Sequence, residues 1–238
     1  MRLRGPSWPP KFPPHRRWEH VPVHAIQEMF RNVFEAWGLP DRVRVDNGYP
    51  WGNFNDLPTV LALWLVGAGV QVHWNEPRRP QQNAKVERSQ GTGWRWAEPW
   101  LCPDAAALQA RFDREDRVQR ELYPSQPGGQ SRLAAYPALA QVRQPYTRTW
   151  EQRHWDLQRA LAHLAEYQAV RKVSAGGHVG IYDTTYYVGR AYVGETVYVQ
   201  LNPDTREWVI SDAQDRELRK HAAEQITRAR LLALNLAL

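Results

Sequence analysis

The stretch RVRVDNG, residues 42–48, alternates charged and apolar side chains with period two and then runs into Asn47-Gly48, a strong turn pair. That pattern predicts a short strand delivering Asp46 to its carboxyl end. Upstream, Val23, Ile26, Met29, Phe30, Val33, Phe34 and Trp37 recur at three- and four-residue intervals before Gly38-Leu39-Pro40. The spacing predicts an amphipathic helix with a clean stop. Downstream, residues 57–68 read as a buried helix and 70–74 as a second short strand. Pro77 and Pro80 mark a loop, after which 82–89 has the propensity to start a helix carrying Glu87. Helix, strand, helix, strand, helix implies an α/β arrangement with a mostly parallel sheet.

Beyond this region the patterning changes twice. Asp104 is placed to cap a helix over 104–122, and PSQPGGQS (124–131) then reads as a loop. Helical spacing returns over 150–170 through Leu157, Leu161 and Leu164, as expected of a connection between domains. From Val173 onward, alternating runs at 178–187, 196–201 and 207–211 are separated by Gly189, Gly194 and Asn202-Pro203-Asp204. These predict hairpins of a small antiparallel barrel, with 224–238 as a closing helix or a frayed tail. Five prolines in residues 1–20 argue for an irregular arm. The expected organisation is a Pro/Arg-rich arm (1–20), an α/β core (21–122), a loop and helical linker (123–172) and a small all-β barrel (173–238).

Composition narrows the function classes. The chain has 238 residues, 42% hydrophobic, with 31 Lys and Arg against 25 Asp and Glu, a formal charge of +6 and a pI near 9.6. A basic balance dominated by arginine suits an anionic partner. The single cysteine, Cys102, rules out an internal disulfide framework or a Cys-based zinc site. The longest apolar run, 57–72, is interrupted by Pro58, Gly67 and Gly69 and falls short of the ~20 residues of a membrane span. The amino terminus has cations without an apolar h-region, so the expectation is a soluble cytoplasmic protein with no membrane partner. His15, His20, His24 and His73 are scattered, and the Gly-Gly pairs at 128–129 and 176–177 lack a Walker or Rossmann context.

The stretch PRRPQQNAKVERSQG (77–91) sets Glu87 among Arg78, Arg79, Lys85, Arg88 and, just beyond, Arg95. Taken alone it admits two readings. One is a solvated helix face whose charge pairs are worth a few tenths of a kcal/mol. The other is a surface whose cations meet a polyanion while the carboxylate holds a metal ion against it. Asp46 and Glu87, on different elements, are hard oxygen donors of the kind Mg²⁺ prefers.

Taken together and in order, VRVDNG (43–48) and PRRPQQNAKVERSQG (77–91), with FPPHRRWEHVPVHAIQEMF (12–30) upstream, resemble the DDE transposases of bacterial insertion sequences and the related retroviral integrases. The tail VSAGGHVGIYDTTYYVGRAYVGETVYVQLNPDTREWVISD (173–212) is similar to the SH3-like barrel that follows the core in several bacterial transposases. The resemblance spans roughly residues 12–220. It implies a ribonuclease-H-like core, Mg²⁺ or Mn²⁺ as cofactor, double-stranded DNA as partner, a homo-oligomer and a bacterial, nucleoid-associated setting. Asp46 and Glu87 match the second and third of the family's three metal-binding acids, and Arg78, Arg79, Lys85 and Arg88 fall where DNA contacts are expected. The family's two metals activate the attacking water or 3′-hydroxyl and stabilise the leaving oxygen in phosphodiester transfer.

The chain departs from that family in the gap of 40 residues between Asp46 and Glu87, longer than the family's commonest spacing and absorbed by the loop expected over 49–56, and in its first acid. The first acid belongs to an opening strand, yet no Asp precedes Asp41, and Glu19, Glu28 and Glu35 lie in an arm and a helix. The expected core is therefore incomplete, with its first strands missing, and the expectation is an amino-terminally truncated, catalytically incompetent transposase that still binds DNA. A non-catalytic DNA-binding regulator and an unstable remnant reading frame are the alternatives. The last predicts aggregation or pairing through an exposed sheet edge.

Overall fold

The computed structural model describes residues 22–52, 56–76, 81, 84–124 and 127–236. The arm expected over 1–20 lies outside them. In chain order the elements are α1 (Val23–Trp37), β1 (Arg42–Val45), α2 (Val60–Gly67), β2 (Gln71–Trp74), α3 (Ala84–Ala97), α4 (Ala105–Arg117), α5 (Arg132–Ala135), α6 (Arg148–His154), α7 (Leu157–Leu164), β3 (Gln168–Lys172), β4 (His178–Ile181), β5 (Thr184–Tyr187), β6 (Thr196–Asn202), β7 (Glu207–Ser211), β8 (Glu217–Ala222) and α8 (Arg228–Leu232). The fold is mixed α/β and divides into two compact units. Residues 22–77 and 144–238 build one, and 78–143 belong to the other.

The first unit is organised around α2. Its sequence, VLALWLVG, is apolar on every side, and a helix of that kind is stable only when surrounded. Leu61, Leu63, Trp64 and Leu65 are all buried, and the helix packs against α7 and α8. Thr59 starts it by accepting a hydrogen bond from Ala62 N at 3.2 Å. Gly67 at its end admits the Trp155 indole, which a Cβ would meet at 2.2 Å. On one flank α1 contributes Phe34, and it ends where Gly38 adopts φ +81°. On another, β1 and β2 pair in parallel from Arg42↔Gln71 to Val45↔Trp74, joined by α2 as the crossover.

The carboxyl-terminal half of this unit carries a four-stranded antiparallel sheet, ordered β3-β6-β7-β8, and a separate hairpin, β4-β5. Val197, Val199, Leu201, Trp208 and Ile210 alternate inward along β6 and β7 and join the same core as α2. The strand pairs among the described residues do not close into a barrel. Here the structure departs from the helical spacing read over 150–170. The chain turns extended at Trp155, Asp156 caps α7 through Gln158 N at 2.8 Å, and β3 has already begun at Gln168. The sheet thus starts inside the span expected to be a linker.

The other unit contains α3, α4 and α5. Asp104 caps α4, as its position implies, accepting from Ala107 N at 2.8 Å. Trp94 meets Phe112 with ring centroids 6.3 Å apart, and Trp96 meets Tyr123 edge-on at 5.0 Å. Only Ala97 and Ser131 are buried among its described residues. The core expected over 21–122 is therefore divided, with α1 to β2 in one unit and α3 and α4 in the other. No described helix is long and apolar enough to cross a membrane.

Candidate metal-binding acids and basic segment

Asp46 follows the last residue of β1, at the carboxyl end of the parallel pair, and is exposed. Its Oδ1 accepts from Gly48 N at 2.9 Å, the local bond that makes Asp-Asn-Gly a turn. Asn47 ties the turn to the end of β2 by donating from Nδ2 to Asn75 O at 2.8 Å. Trp51 N and Gly52 N both donate to Gly48 O at 3.0 Å, folding the next residues back over the turn. Gly52 permits that approach, since a Cβ there would stand 2.8 Å from Asn47 O. The acid is thus held on a loop pinned to both parallel strands.

Glu87 lies in the first turn of α3 and is exposed. An acid there interacts favourably with the helix dipole, which by itself accounts for a Glu at this position. Arg88 beside it is also exposed. Further along, Thr92 Oγ1 donates to Arg88 O at 2.9 Å and Arg95 Nε to Gly91 O at 3.2 Å. Lys85 lies in α3, with its side chain outside the description, and Arg78 and Arg79 fall outside the described residues. Asp46 belongs to one unit and Glu87 to the other.

The carboxylates suit Mg²⁺ in kind but fall short in number. Among the described residues no three His, Cys, Asp or Glu side chains are grouped to hold a metal ion. A two-metal site draws on more ligands than two acids and a turn amide can provide.

Two features escape the sequence reading. The first is Glu151, 1% exposed, which accepts from Trp64 Nε1 at 2.6 Å, Tyr146 OH at 2.8 Å and Arg31 Nε and Nη2 at 2.9 and 3.0 Å. Burial works against the Arg31 charge, but bonds to Glu151 and Glu28 overcome it and raise the guanidinium above its ordinary value. Burial pushes the Tyr146 phenol up, and its bond to Glu151 adds to the shift. Such a carboxylate is a structural tie, fully paired and closed to substrate. Its faint trace in the sequence is that Glu151 and Trp155, four residues apart, both turn inward.

The second is a cleft of about 160 Å³ beside the Asp46 turn, lined by Asn47, Trp51, Thr59, Trp74 and Tyr167 among others. The Trp51 carbonyl anchors it, accepting from Trp74 Nε1 at 3.0 Å and Thr59 Oγ1 at 3.2 Å. Sequence reasoning did not single out these aromatics, because Tyr167 comes from far along the chain. No protein-family model matches the chain.

Proposed function

We propose that this chain is a transposase or integrase core protein of the DDE type, acting in DNA integration and transposition, with Asp46 and Glu87 as its second and third metal-binding acids. The observation that carries this reading is the order of elements. A parallel strand ends at Asp46, a buried crossover helix leads to its partner strand, and the next helix holds Glu87 in its first turn. Open α/β sheets place functional groups at the carboxyl ends of their strands, which is where Asp46 stands. The ribonuclease-H-like identity of the parallel pair and the SH3-like identity of the carboxyl-terminal sheet belong to the same reading, as do Mg²⁺ or Mn²⁺ as the ion and a homo-oligomer as the working form.

In this reading residues 77–91 bring the chain to duplex DNA. Its affinity comes from Arg78, Arg79, Lys85 and Arg88, and so falls steeply with salt. Fluorescence anisotropy of a labelled duplex between 50 and 200 mM salt tests this. Binding should weaken by a large factor across that range, and a Lys85→Glu, Arg88→Glu variant should lower the salt slope by about two. No binding at the lowest salt overturns the DNA reading.

A further inference from the structure

The cleft beside the Asp46 turn has features that a packing defect would lack. Its aromatic walls are backed by other rings. Trp51 meets Phe30 edge-on at 5.3 Å, Trp74 lies within 4° of parallel to His163 at 6.3 Å, and Tyr167 meets His163 edge-on at 5.2 Å. Trp51, Trp74 and Tyr167 nevertheless remain only half-buried, although the same unit has a core that buries Trp64, Trp155 and Trp208 almost completely. The Tyr167 hydroxyl makes no hydrogen bond among the described residues, and the Asn47 amide, with Nδ2 on Asn75 O, still has an acceptor oxygen. Rigid aromatic walls with a few polar groups between them make a seat for a flat heterocycle.

Size and position narrow the occupant. A cavity of roughly 150 Å³ takes one benzene ring, so the 160 Å³ here suits one six-membered ring. Asn47, on its lining, is the residue after Asp46. We infer that this cleft is a seat for one unstacked, pyrimidine-sized nucleobase of a DNA strand bound at Asp46. The inference rests on the DNA-binding reading above and adds to it a subsite that contacts a base rather than the backbone. Aromatic side chains hold unpaired bases by stacking, which is tolerant of sequence and independent of the phosphate contacts made by cations.

The test compares three labelled duplexes: blunt, with a two-thymidine 3′ tail, and with the same tail made abasic. The full chain should bind the thymidine tail about tenfold more tightly than the other two. Trp51→Ala and Tyr167→Leu should remove that gain while leaving the affinity for blunt duplex unchanged. Thermal unfolding by circular dichroism identifies a variant that misfolds, and the other then carries the comparison. Equal affinity for thymidine and abasic tails, with blunt duplex still bound, overturns the base seat and leaves the proposed function standing. Thymidine 5′-monophosphate followed by NMR at the indole protons separates the two further. Shifts at Trp51 and Trp74 without any duplex binding overturn the DNA-core reading and the DNA-strand seat with it, and no shifts together with equal tails overturn the seat alone.

Discussion

The two units differ most in what they bury. Residues 22–77 and 144–238 share one continuous core, in which Trp64, Leu161, Leu164, Trp208 and Ile210 are almost wholly removed from water. Residues 78–143 bury Ala97 and Ser131, while Trp94, Trp100, Leu101, Leu122, Tyr123 and Tyr136 stay largely exposed. Helix capping and local ion pairs organise this second part, as in Asp104 on Ala107 N and Arg120 on Asp116 at 2.9 Å. Contacts of that kind are worth about 1 kcal/mol or less each, whereas burying a large apolar side chain is worth about 1.5–3 kcal/mol. Asp46 therefore rests on a unit held by burial and Glu87 on one held by local bonds. The first should keep its geometry more firmly than the second.

Substitutions can break or sharpen this contrast. The largest effect is expected for Glu151→Ala, which leaves the partly buried Arg31 with Glu28 alone and takes the acceptor from Trp64 Nε1 and Tyr146 OH. Removing one member of a buried pair costs about 3–5 kcal/mol, and chemical denaturation should read a loss of that size. A loss below about 1 kcal/mol would show that the tie is dispensable. A smaller effect is expected for Gly67→Ala, whose new methyl must displace the Trp155 ring. Overpacking of this kind costs about 1–3 kcal/mol, and Trp155 fluorescence should shift with it. The smallest is Asp104→Ala, which removes a cap worth about 1 kcal/mol. Hydrogen exchange should quicken in α4 and stay unchanged in α2. Faster exchange in α2 as well would mean that the two units unfold as one.

Local chemistry made much of this legible in the sequence. The charge–valine alternation marks β1, unbroken apolarity marks α2, and spacing with a glycine stop marks α1. Asp46 and Glu87 accordingly sit on the elements read for them, at a strand end and in a first helical turn. What stayed hidden was set by partners distant in sequence. The segment QAVRK becomes β3 because β6 pairs with it from Gln168↔Gln200 to Lys172↔Thr196. Nothing in its own composition separates it from the end of a helix. ELRKHA becomes β8 despite its charges because edge strands tolerate and use them. The division into units was invisible for the same reason, since it depends on which segments meet across residues 78–143.

The Glu151 tie has a consequence for how the chain is made. Its donors Arg31 and Trp64 are synthesised long before Tyr146 and Glu151, with the whole of 78–143 in between. At roughly 5–20 residues per second, α1 and α2 leave the ribosome several seconds before Glu151, the buried one of the two carboxylates on Arg31, exists. During that interval the apolar helix α2 is without α7 and α8, the elements that bury it. The nascent chain therefore carries an apolar helix without its burial partners until the ribosome has moved far enough past Glu151 and α7 to release them.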